Sequence, residues 1–153
     1  MKKLILIFVL FSIPMFISSC GEEQIILPAD EFFIAFEKET YTTTKNAANP
    51  LKIPVYIAAE RGAAVTVTVG INSEITTAVT GTDFEFIRGP QLNFPIGAGY
   101  DSIIIQPKTG GTPGNLLLNL FLESNSAGYK MGFFYGEQAD STSHDKCNVK
   151  INQ

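Results

Sequence analysis

The chain has 153 residues, with 15 acidic and 11 basic side chains, one His, two Cys and no Trp. That length suits one compact domain, and 45% hydrophobic with 17% charged residues excludes a disordered chain. A formal charge of −4 argues against nucleic acid, whose phosphates would be repelled, and one His with two Cys leaves little from which to build a zinc site or a disulfide framework.

Lys2 and Lys3 give the chain a positive start, and Leu4 to Phe16 is apolar apart from Ser12 and Pro14. The run is shorter than the roughly 20 apolar residues that span a bilayer, which is the pattern of a targeting segment. It ends in Ile17-Ser18-Ser19-Cys20-Gly21. A branched apolar residue, two small residues and a Cys resemble the lipobox of bacterial lipoproteins. That resemblance implies removal of residues 1–19, acylation of Cys20 and a membrane anchor through the acyl chains, each buried CH2 contributing about 0.8 kcal/mol. Gly21 rather than Asp after the Cys implies, by the same resemblance, passage to the outer membrane. Glu22 and Glu23 resemble the acidic run of surface-exposed lipoproteins, and equally suit a solvated tether over residues 20–30.

From residue 31 to 153 the apolar residues recur with period two, and the helical period of 3.6 is hard to find. Phe32, Ile34 and Phe36 alternate in a first predicted strand. Leu51, Ile53, Val55 and Ile57 alternate in a second, with Pro54 on its other face. Proline cannot donate to a ladder, so this second strand is expected at a sheet edge or to be bulged. Val65, Val67, Val69 and Ile71 against Thr66, Thr68 and Gly70 give the cleanest half-buried strand. Further strands are predicted at 83–87, 91–94, 102–106, 116–122 and 146–151. Glu60-Arg61-Gly62, Arg88-Gly89-Pro90, Pro95 to Gly99 and Thr109 to Gly114 supply the turns. Many short strands between Gly/Pro turns predict an all-β, immunoglobulin-like sandwich of about seven to eight antiparallel strands.

Tyr41, the stretch Thr77-Ala78-Val79-Thr80-Gly81-Thr82-Asp83-Phe84 and the turn Leu92-Asn93-Phe94-Pro95-Ile96-Gly97 follow one another in order, ahead of strands at 102–106 and 116–122. In this order the chain from Phe36 to about Ser126 resembles the Calx-beta family of β-sandwich modules. The resemblance implies a Tyr-led strand at Tyr41, and, in calcium-binding members, carboxylates clustered at one end. Here the family's Glu falls near Thr44 or Lys45, and its acidic pair falls in Lys108 to Gly114, which has no carboxylate. Only Asp83 matches a ligand position, as a remnant. Ca2+ takes 6–8 oxygen ligands, so no metal is expected and Asp83 is read as capping a turn.

Ser141, His144, Asp145 and Cys147 lie close in sequence, but strand neighbours point to opposite faces, so they do not converge as a triad would. Cys147 shares parity with Val149 and Ile151 and is expected in the core. The glycines of Gly97-Ala98-Gly99 and of 109–114 open no predicted helix and are read as turns rather than phosphate loops. The one candidate binding surface is Tyr129, Phe133, Phe134 and Tyr135, set between glycines. It reads either as an exposed platform for sugar C–H groups or as a hairpin that tucks Phe133 or Phe134 under the sandwich. The chain is therefore read as a non-enzymatic binding or adhesion module of a cell-envelope lipoprotein, without cofactor, taking a glycan or an envelope protein. The alternative is a structural accessory subunit that docks through an open sheet edge.

Overall fold

The computed structural model describes residues 28–132 and 144–153. After one turn of 3-10 helix at Ala29–Glu31, the described residues run through ten strands. These are β1 (Phe33–Phe36), β2 (Thr40–Thr44), β3 (Leu51–Ala58), β4 (Val65–Ile71), β5 (Phe84–Arg88), β6 (Gln91–Phe94), β7 (Tyr100–Pro107), β8 (Leu116–Asn125), β9 (Lys130–Met131) and β10 (Lys146–Asn152). They form two five-stranded sheets, in the orders β5-β7-β3-β1-β9 and β2-β10-β8-β4-β6. The all-β sandwich is the architecture that the period-two pattern implies.

The core is that pattern made solid. Ile34, Phe36, Ile53, Val55, Ile103 and Ile105 face inward from the first sheet, each at 0% exposure. Val67, Leu92, Phe94, Leu118, Leu120, Val149 and Ile151 meet them from the second. Each such side chain contributes about 1.5–3 kcal/mol on leaving water. On the outer side of β4, Gly70 lies opposite Phe121, and a Cβ at Gly70 would come within 2.4 Å of that ring. The glycine leaves room for the phenyl ring to lie across the strand.

Two strands exceed the number that alternation predicts. β2 reads Thr-Tyr-Thr-Thr-Thr, with one large apolar residue, so no alternation marks it; the Tyr41 of the family resemblance sits in it. β9 has only two residues. Both pair parallel, β2 with β10 and β9 with β1, so the sandwich is not wholly antiparallel. The chain crosses from one sheet to the other between Phe36 and Thr40, which puts β1 and β2 in different sheets.

The expectation for Pro54 is corrected. β3 is neither an edge nor bulged at Pro54, since it pairs with β1 on one side and, in unbroken register, with β7 on the other. The Pro54 carbonyl accepts from the Glu37 N–H at 3.0 Å. The bond that an N–H at position 54 would return therefore falls beyond Phe36–Val55, the last register pair of β1. Proline sits where the neighbouring strand has already stopped.

Register also fixes the two ends of the sandwich. Thr44 with Asn152, Leu116 with Ile151 and Phe84 with Pro107 lie at one end. Phe33 with Ala58, Tyr56 with Tyr100 and Val65 with Phe94 lie at the other.

Candidate functional site

At the first end the loop after β7 closes over Asp83. Asp83 is fully buried, and its carboxylate accepts from the Val79 N–H at 2.7 Å, the Thr112 N–H at 2.6 Å and the Thr112 hydroxyl at 3.0 Å. Gly111 has φ +65, and a Cβ there would stand 2.4 Å from Asp83 Oδ1. Only glycine allows the loop to approach the carboxylate so closely. Lys45 is 8% exposed, and its ammonium donates to the Thr112 carbonyl. Lys108 completes the knot, donating from Nζ to the Gly81 carbonyl at 3.0 Å and pairing with Glu85 at 3.0 Å.

The charges explain the titration of this centre. Burial pushes the Asp83 carboxyl up, and the N–H groups of Val79 and Thr112, the Thr112 hydroxyl and the Lys45 ammonium together outweigh it. Its pKa therefore lies below the ordinary 3.8. The resemblance noted in the sequence raises the question of calcium at this end, and these donors do not fit it. Both oxygens of Asp83 are committed to N–H and O–H donors, and a lysine ammonium already supplies the positive charge. Among the described residues no group of three or more His, Cys, Asp or Glu side chains could hold a metal ion.

The second end is built differently. Tyr56 on β3 and Tyr100 on β7 are register partners, their ring centroids 5.8 Å apart and their planes at 34°. Phe33 packs edge-on against Tyr56 at 5.7 Å. Tyr100 is 66% exposed. Burial and the neighbouring Tyr100 together raise the Tyr56 pKa. Beside this pair, the turn after β3 and the turn after β6 enclose an open cleft of about 260 Å³ lined by Ala59, Glu60, Arg61 and residues 96–99. Arg61 fixes its wall by donating to the carbonyls of Phe94 at 3.0 Å, Pro95 at 3.1 Å and Ala98.

The sequence-predicted residues are dispersed. Tyr129 lies at the sheet margin, half-buried, with its N–H donating to Asn125 Oδ1 at 2.9 Å and its ring edge-on to Phe32 at 5.6 Å. Phe133, Phe134 and Tyr135 lie outside the described residues, as do Cys20, Ser141 and Ser143. His144 holds the end of β1: its Nδ1 donates to the Phe36 carbonyl at 2.8 Å, and its own carbonyl accepts from the Phe36 N–H. Cys147 is fully buried, and burial pushes its thiol up to about 12. No described geometry joins His144 to Cys147 as a base to a nucleophile.

Two features escaped the sequence reading. Tyr56 and Tyr100 are 44 positions apart in sequence, and only their register makes them a pair. Asp101 on β7 accepts from the N–H groups of Asn93 at 3.1 Å and Ser102 at 2.7 Å and pairs with Arg88 at 2.7 Å, tying β5, β6 and β7 together where the sheets meet. A carboxylate on the inward parity of an otherwise Ile-rich strand was the available signal.

No protein-family model and no curated protein matches the chain. Among solved structures it is similar to the crystal structure of CBD12 from CALX1.2, with a TM-score of 0.57 and 21% identity. The match covers 78% of this chain and 43% of that one, so the chain spans less than half the length of that structure. The likeness is one of fold: the described chain is a Calx-beta-like β-sandwich.

Proposed function

We propose that the chain is a non-catalytic binding module of a lipid-anchored cell-envelope protein, taking a glycan or an envelope protein as its ligand. One observation carries this reading. At the first end Asp83, Lys45 and Lys108 are engaged in holding the loops together, whereas the second end presents an exposed aromatic ring, Tyr100, next in the chain to the lining of a preformed cleft. Exposed aromatics next to a concave surface with a few polar groups are a general feature of binding sites.

The anchor is tested by expressing the full chain and a Cys20→Ser variant in a bacterium that makes lipoproteins. The expected result is acyl mass on residue 20 and an outer-membrane location for the first, and neither for the second. An unacylated wild-type chain would remove the envelope part of the proposal. The binding part is tested by passing the full chain over immobilised envelope glycan and envelope protein. Retention by neither would overturn it.

A second reading, that of an accessory subunit docking through a sheet edge, draws on β2. This strand closes the second sheet on one side only and carries no charged residue.

A further inference from the structure

We infer that Tyr56, Tyr100 and the cleft beside them form a binding site for a neutral oligosaccharide. This rests on the binding-module reading and names the class of ligand.

The aromatic surface is set before any ligand arrives. Tyr56 is held between the edge of Phe33 at 5.7 Å and Tyr100 at 5.8 Å, and it stands on β3 with strands on both sides. Tyr100 is the most exposed large hydrophobic residue of the described chain. The two tyrosine rings meet in a tilted contact, their planes 34° apart, and Tyr100 keeps most of its surface in solvent. An aromatic face carries partial negative charge, and the C–H groups of a pyranose, polarised by their oxygens, carry partial positive charge. A sugar ring therefore stacks on such a face while its hydroxyls point sideways.

The cleft takes those hydroxyls. It adjoins the aromatic pair through the chain itself, since Gly99 precedes Tyr100 and Ala59 follows Tyr56 by three residues. Its lining combines small residues such as Ala59, Ala98 and Gly99 with one exposed apolar side chain, Ile96, and with the charged Glu60 and Arg61. The Arg61 hydrogen bonds to three carbonyls, with the Ile57 N–H on the Gly99 carbonyl at 2.9 Å, hold both turns in place. A site that is already rigid loses little entropy on binding.

Charge decides between ligand classes. Glu60 and Arg61 cancel, so the cleft favours neither sign, and the whole chain is negative and repels anions. A neutral polyhydroxylated chain offers C–H groups to the aromatic ring and hydroxyls to the Glu60 carboxylate together. An acyl chain would leave Glu60 without a partner.

The test uses the full chain in detergent micelles and a panel of neutral hexasaccharides from β-1,4-glucan, β-1,4-xylan, β-1,3-glucan and α-1,4-glucan. Binding is read by calorimetry and by near-UV difference absorption, where five tyrosines and no tryptophan make the band report on tyrosine alone. At least one member is expected to bind and shift the tyrosine band. Tyr100→Ala is expected to weaken it about tenfold or more with an unchanged melting temperature, since that ring is mostly in solvent. Binding that survives Tyr100→Ala would overturn the site. A chain that binds no hexasaccharide but is retained by an envelope protein would overturn the ligand class and leave the binding-module reading standing. Retention by neither would overturn both.

Discussion

Replacing Asp83 isolates the group on which the first end of the sandwich depends. In Asp83→Ala the N–H groups of Val79 and Thr112 lose their acceptor in a site with no solvent exposure. Each orphaned donor costs about 1–3 kcal/mol, so the pair predicts a loss of about 2–6 kcal/mol, against a total stability of about 5–15 kcal/mol for a domain. The Thr112 hydroxyl can turn elsewhere and is not counted. Asp83→Asn keeps the shape and one oxygen, and is expected to cost about 2 kcal/mol. Urea unfolding of the full chain, followed by circular dichroism, measures both. The acid side adds a signature. Because the folded pKa lies below the ordinary 3.8, the contribution of the carboxylate is whole above that value and drains away as the pH falls through the lower folded value. The Asn variant lacks this loss, so the two stability curves should converge on acidification. Millimolar Ca2+ should raise neither midpoint, since an ion bound to the folded state alone would stabilise it. An Asn variant within about 0.5 kcal/mol of the wild type at neutral pH, or sharing its acid slope, would refute the reasoning.

Gly111→Ala should cost about 2 kcal/mol or more by urea unfolding, because alanine resists φ +65 and its Cβ would press on Asp83 Oδ1; paired with Asp83→Ala, the cost should be less than the sum of the two. Cys147 should resist iodoacetamide at pH 8 in the folded chain and react fully in denaturant. Burial raises its thiol from 9.0 to about 12, so its contribution is whole below pH 9 and is lost as the pH rises towards 12; Cys147→Ala should flatten that alkaline loss.

How far the sequence could be read depended on the range of the physics. Alternation is a local property, and it located β3, β4 and β8 and placed Cys147 on the buried parity with Val149 and Ile151. Thr40–Thr44 escaped it because threonine is neutral to the inside–outside pattern; its strand is set by pairing with β10, a hundred residues on. The Pro54 expectation failed for a related reason: the rule concerns a missing donor, and whether that donor is missed depends on where the neighbouring strand ends. At the first end, the gathering of Lys45, Asp83 and the 109–114 loop was legible through family resemblance and not through spacing. The tyrosine pair was legible through neither, since a cross-strand contact exists only once the register does.

The place where β1 joins the fold has a consequence for geography. Phe33 pairs with Ala58, so residues 28–32 leave the sandwich at the same end as the tyrosines, while Gln153 lies beside Asn115 at the opposite end. At about 3.3–3.6 Å per residue, the chain between Cys20 and Pro28 reaches no farther than about 30 Å. A fatty-acylated Cys20 would then keep the tyrosine pair and the neighbouring cleft hovering close over the lipid headgroups, within range of sugars rooted in the same leaflet. A fluorophore or bead coupled behind Gln153 would ride on the outward pole, clear of whatever docks beneath.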